Sequence, residues 1–237
     1  MKESLLIIAE RNSVMEHCAD REILRFRYSL LPSFLFIVIL WVVKIIEISN
    51  NSSFHEFGVY PRKIFGLYGI VFAIFIHGDF NHLISNSISL FILFSGLVYF
   101  YRDLSYRVIL FIWITSGIMV WLGARESYHI GASGLVYGIA SFLFFSGIIR
   151  QDIRLMSISM LVVFLYGGLI WGIFPIFPRI SWEYHLFGGV CGFIASIMYR
   201  NQGPVKYKWS WELEDEENLI EDDVESNIYN PDSNEYS

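Results

Sequence analysis

Cysteine is almost missing from this chain: its 237 residues hold two, Cys18 in the polar N-terminal region and Cys191 inside a late apolar stretch. Thiols so placed imply no disulfide framework. No cleavable leader is expected either, because Leu5 to Ala9 is too short for its apolar region and charged residues follow at once. The zinc-protease pattern H-E-x-x-H does not occur, and charged residues make up only 17% of the chain. What excess acid there is lies mostly in the last stretch, which includes Glu214, Asp215, Glu216, Glu217, Glu221, Asp222, Asp223 and Glu225. Such a run reads as a solvated, disordered tail, so the net charge of -6 says little about the rest.

Long apolar runs are what the sequence does have. Hydrophobic residues reach 54%, and the mean hydropathy is +0.48. About 20 apolar residues are needed to cross a hydrocarbon core of roughly 30 Å, and windows of that kind recur after residue 28. Six spans are expected, at about 29 to 48, 81 to 101, 106 to 122, 133 to 149, 153 to 173 and 183 to 199. In lipid only helices and closed barrels satisfy every backbone group, and runs this long exclude barrel strands. The expected fold class is therefore all-α: a polytopic bundle of six transmembrane helices over 29 to 199, preceded by a cytoplasmic segment (1 to 28) and followed by an acidic cytoplasmic tail (200 to 237). Residues 4 to 26 are expected to be either a helix lying on the membrane surface or a soluble lead-in. The segment Asn50 to Phe80 is too aromatic for an ordinary linker and is expected to pack against the membrane or dip into it. Lysine and arginine cluster at Arg25, Arg27, Arg102, Arg107, Arg150, Arg154 and Arg200, which predicts cytoplasmic termini.

A few polar residues interrupt the apolar spans. Ser133 opens the fourth span in Gly131-Ala132-Ser133-Gly134, where leading N–H groups and the helix dipole favour a developing oxyanion and the glycines allow close backbone approach. Small-x-small tetrapeptides also occur wherever membrane helices touch, so packing alone would explain this one. His185 lies in the sixth span, and an ionisable side chain there faces an aqueous cavity or a partner. A satisfied core histidine is the alternative. Gly188 and Gly192 share its helix face, while Gly134, Gly138 and Ser141 form a matching stripe beside Ser133. Two such stripes would let His185 reach the serine hydroxyl as a general base.

His82 and Asn86, spaced i, i+4 on the second span, can add N–H donors to an oxyanion site. His77 stands just outside that span and is expected to orient the loop by hydrogen bonding. Tyr137, one turn after Ser133, can stack on the His185 ring or serve as plain aromatic core. No carboxylate is placed to reach His185, since Glu183 points elsewhere; the expectation is a Ser-His dyad without an acidic third member. His17, His55 and His129 read as loop or tail residues. A haem or metal carrier using His77, His82 and His185 is a further alternative, but no cysteine or carboxylate shares a first shell with them.

These motifs together resemble the rhomboid family of intramembrane serine proteases over about Gly58 to Tyr199. His77-Gly78-Asp79-Phe80-Asn81-His82 with Asn86 is similar to its H-x4-H-x3-N element, Gly131 to Tyr137 to its G-x-S-G-x-x-Y motif, and His185, Gly188 and Gly192 to its H-x-x-G-x3-G helix. The resemblance implies Ser133 as nucleophile, His185 as base, and His82, Asn86 and the Ser133 N–H around the oxyanion. It implies single-span or polytopic membrane proteins as substrates within a lipid bilayer, no metal or cofactor and no nucleic-acid partner. A bacterial inner membrane is the expected location. Where many members carry Trp-Arg, nine and eight residues before the first histidine, this chain has Tyr68-Gly69. A catalytically silent relative that only binds transmembrane helices is the runner-up.

Overall fold

Helices account for all the regular structure that the computed structural model describes, which covers residues 2–165, 171–176, 180–204 and 219. Seven α-helices occur among the described residues: α1 (Lys2–Ser49), α2 (Gly69–Phe72), α3 (Phe80–Phe100), α4 (Ser105–Gly123), α5 (Ser133–Arg150), α6 (Ile153–Leu165) and α7 (Trp182–Met198). No β-strand forms among the described residues; a single antiparallel bridge joins Val59 and His129. The chain divides into units Met1–Pro204 and Val205–Ser237. Of the expected acidic tail, 200 to 237, only residues 200–204 and Leu219 are among the described residues.

Among the described residues four helices are long and apolar enough to cross a bilayer: the Asp20–Ser49 part of α1, then α3, α4 and α5. Helices α6 and α7 begin where the fifth and sixth spans were expected, but α7 has 17 residues, and 13 of α6 are described. At 1.5 Å per residue, 17 residues give only about 25 Å. The fifth span was drawn too far. Residues 166–170 lie outside the described set, but Trp171–Ile173 is a 3-10 turn and not helix. Glycine and proline around it, at Gly172 and Pro175, explain why hydropathy alone overran.

Residues 4 to 26 are helical and continuous with the first span, since α1 runs unbroken from Lys2 to Ser49 and passes through Pro32. On either side of that proline, Ser29 and Ser33 donate to the carbonyls of Phe26 (2.7 Å) and Leu30 (2.8 Å). The Ser33 hydroxyl also meets that of Ser95 at 2.6 Å, fastening α1 to α3.

Leu83, Leu90, Leu93 and Leu97 of α3 pack with Val108 and Ile112 of α4 and with Leu135, Ile139 and Phe142 of α5 to form the core. Between α1 and α3 the chain makes 3-10 turns and the short α2, a segment held by its own glycines. A methyl on Gly69 would strike the backbone of Gly58 and Val59, so no side chain fits there. The loop is anchored by another route: the Arg62 guanidinium donates to the Ala124 carbonyl at 2.8 Å, and Trp121 Nε1 donates to the Lys63 carbonyl at 2.9 Å. Gly69 thus meets a steric need, while Arg62 ties the loop to the end of α4.

Candidate active site

Gly131 explains how α5 begins. Its φ of +108° belongs to the region that glycine favours, and its N–H donates to the Ala73 carbonyl at 2.8 Å. An added Cβ would come within 2.6 Å of the His82 ring and 3.6 Å of Asn86 Nδ2, so these α3 side chains converge on the bare backbone just before Ser133. Ala132 occupies the helix cap and offers no side-chain acceptor. The leading N–H groups of α5 are therefore not consumed by a cap.

Ser133 and His185 meet at this point. The Ser133 Oγ and His185 Nε2 are 2.7 Å apart, although 52 residues separate them in sequence. His185 Nδ1 lies 2.9 Å from the Gly172 carbonyl. A carbonyl only accepts, so Nδ1 carries the proton and Nε2 is left to accept from the serine hydroxyl. Tyr137 covers the imidazole, with ring centroids 4.3 Å apart and planes 11° from parallel. Serine and histidine are 7% and 8% exposed, buried enough for directional bonds to matter and open enough for a substrate to arrive.

Glycine-to-backbone contact makes the approach possible. Any Cβ on Gly188 would collide with the Gly134 carbonyl, and one on Gly192 with the Gly138 carbonyl. From the other helix, a Cβ on Gly134 would fall 2.7 Å from a Tyr184 ring carbon, and one on Gly138 would lie 3.1 Å from the Gly188 carbonyl. Ser141 adds a hydrogen bond from its Oγ to the Gly189 carbonyl, 2.7 Å long. The α5 and α7 backbones therefore run in direct contact.

A cavity of about 750 Å³ opens beside Ser133 and His185, and Asn81, His82, Ser85, Asn86 and Tyr137 line it. Asp79 caps α3 by accepting from the His82 N–H at 2.8 Å, which fixes the first turn of the helix bearing His82 and Asn86. Asn86 Nδ2 is buried with no partner among the described residues. A buried donor left unpaired is costly, and clusters of such groups mark places where a ligand completes the bonding.

His77 does not hold its loop in the way expected. Its ring packs edge-on against His82, with centroids 5.0 Å apart, and neither ring nitrogen has a well-formed hydrogen bond among the described residues. Burial foremost, and the nearby His82 ring, hold its imidazole down to about 3. The loop is held instead by Lys44, whose Nζ donates to the carbonyls of His77 (2.9 Å) and Gly78 (3.3 Å) and to Glu47 (2.8 Å). Lys44 and Glu47 were legible only as opposite charges at i, i+3 near the end of an apolar span. His129, read as an ordinary loop residue, is buried beside the cavity with its ring against Ser181 Oγ. Burial lowers the pKa of that imidazole. Gly172 carried no motif at all.

Comparison with known proteins gives a family model, described as the Rhomboid domain, that matches residues 65–202. A Mycobacterium tuberculosis protein described as uncharacterized is 33% identical over 174 residues, 69% of this chain and 72% of its own length. A Mycobacterium leprae protein with the same description is 32% identical over 175 residues, covering 69% and 68%. A Bacillus subtilis protein, named provisionally as a rhomboid protease, is 28% identical over 134 residues, covering 54% and 65%.

Proposed function

The chain belongs to the rhomboid family, and from that membership we propose that it is an intramembrane serine endopeptidase that cleaves transmembrane segments of other membrane proteins. The observation that carries this is the 2.7 Å contact between Ser133 Oγ and His185 Nε2, with the opposite ring nitrogen held by a backbone carbonyl.

Ser133 Oγ attacks the scissile carbonyl carbon while its proton passes to His185 Nε2. The Gly172 carbonyl then takes the place of a triad carboxylate: it fixes the tautomer and accepts from Nδ1–H while the ring is cationic. His82, Asn86 Nδ2 and the Ser133 N–H supply donors for the oxyanion, each worth about 10²- to 10³-fold in rate. His185 returns its proton to the leaving amine, and water, activated by the same nitrogen, hydrolyses the acyl-enzyme. A helical amide shields its carbonyl, so the substrate must unwind locally before it can be cut.

In this proposal α1, α3, α4, α5, α6 and α7 are six membrane spans over 29 to 199. Both termini are cytoplasmic, in a bacterial inner membrane, and residues 200 to 237 form an acidic cytoplasmic tail. Ser133 then lies towards the outer surface, where water can reach it.

Co-expression of wild type or Ser133→Ala with a panel of tagged single-span proteins tests the activity. Fragments that appear only with wild type are expected. A chain that retains a client yet never cuts it would instead be a catalytically silent helix binder.

A further inference from the structure

Glycine stripes let α5 and α7 touch, but smooth surfaces of this kind do not fix how far one helix slides along the other. Catalysis needs that register, because a hydroxyl and an imidazole must meet within hydrogen-bond range. A group of directional polar contacts joins the two helix entrances. Arg125 and His129 lie eight and four residues before Ser133, and Ser181 and Glu183 lie four and two residues before His185.

The bonds of the group run between these two segments or brace one of them. Arg125 Nη2 donates to the Ile180 carbonyl at 2.7 Å, and its Nε pairs with Glu183 Oε1 at 3.5 Å. The Arg125 backbone N–H reaches the same carboxylate oxygen at 3.4 Å. His129 Nδ1 meets Ser181 Oγ, and its Nε2 donates to the Arg125 carbonyl at 3.1 Å. The His129 backbone exchanges two hydrogen bonds with Val59, at 2.9 and 3.0 Å, which braces the loop from behind.

Glu183 makes the energetic case. Its side chain is 4% exposed, and its second oxygen, Oε2, has no partner among the described residues. Burying a half-satisfied carboxylate costs free energy that an exposed arginine only partly offsets, so stability is a poor reason for its presence. Nor does it orient the base, because His185 Nδ1 is occupied by the Gly172 carbonyl. What remains is register.

Resting on the serine-protease reading, we infer that Arg125, His129, Ser181 and Glu183 form a polar clasp that sets the Ser133 to His185 separation, and that they are positioning residues for catalysis. The purified full-length protein in detergent is treated with a fluorophosphonate probe, which reports serine activation without any need for helix recruitment. Cleavage of a single-span substrate supplies kcat and KM. Glu183→Gln and Arg125→Gln should each slow probe labelling by about tenfold and lower kcat in parallel, with KM within about twofold. The double variant should be no slower than the slower single, because the pair acts as one unit. Arg125→Lys should recover part of the rate. Glu126→Gln removes an exposed ion pair with Arg62 on the same loop and should leave labelling within about twofold. The clasp is overturned if Glu183→Gln labels at the wild-type rate, if KM alone rises, if the loss tracks the folded fraction, or if Glu126→Gln does equal damage. A wild type that neither labels nor cleaves would overturn the protease reading itself, and the clasp with it.

Discussion

Gly172→Ala puts the proposed substitute for a triad carboxylate under direct strain. The Gly172 backbone is not left-handed, so alanine is conformationally acceptable there and any effect comes from the added methyl. That methyl would lie 3.0 Å from His185 Nδ1 and 3.3 Å from Tyr137 Cζ, and closer still to the tyrosine hydroxyl. Comfortable contacts need about 3.5 Å or more, so the imidazole must retreat by roughly half an ångström. Because Gly172 and Ser133 sit on opposite ring nitrogens, that push crowds or tilts the ring and takes Nε2 out of its 2.7 Å alignment with the Ser133 hydroxyl. Displacement on this scale costs up to about 10²-fold in rate, or about 2.7 kcal/mol in barrier. The assay is the pseudo-first-order rate of fluorophosphonate labelling, read by gel fluorescence. Tyr137→Phe removes the nearest obstructing atom, so Gly172→Ala/Tyr137→Phe should label faster than Gly172→Ala alone. Wild-type labelling by Gly172→Ala would refute the idea that this carbonyl and the ring stack hold the base.

Other perturbations read other parts of the site. Asn86→Ala should lower kcat by about 10²-fold with little change in KM, because the donor acts on the oxyanion and not on the ground state; an equal rise in KM would place Asn86 in substrate binding. Gly188→Val should reduce the detergent melting temperature and activity together, since backbone and not a flexible side chain blocks the added carbons; an unchanged melting curve would show that the helices are not in contact there. His77, held down to about 3 from an ordinary 6.5, contributes stability that is complete above about pH 6.5 and drains away as pH falls towards 3. At pH 5 the loss is about 2 kcal/mol, because the unfolded imidazole takes up a proton that the folded one refuses. His77→Gln should flatten the melting temperature between pH 7 and 5, and an equally steep profile would contradict that burial.

Hydropathy located α3, α4 and α5 to within a few residues, because lipid demands apolar length and that demand is written directly into composition. It failed where a span ends for local reasons. The turn at Trp171–Ile173 is as apolar as the helix before it, so only Gly172 and Pro175 hinted that the chain turns there. Spacing brought His82 and Asn86 to one helix face, but nothing in it could show that Gly131 must be bare for both to converge. Backbone groups leave no trace in residue identity. The Gly172 carbonyl beneath His185 was therefore invisible, and so were the loop carbonyls that Lys44 gathers. Glu183 was set apart from the base, and its contact with Arg125 crosses 58 residues of sequence that no local pattern spans.

Intact-protein mass spectrometry after exposure to a phosphonate probe tests the central claim most directly. One adduct is expected on wild type, mapped to Ser133, and none on His185→Ala that is otherwise folded. Equal labelling of the two proteins would contradict the account, because the hydroxyl would then owe its reactivity to something other than the imidazole beside it.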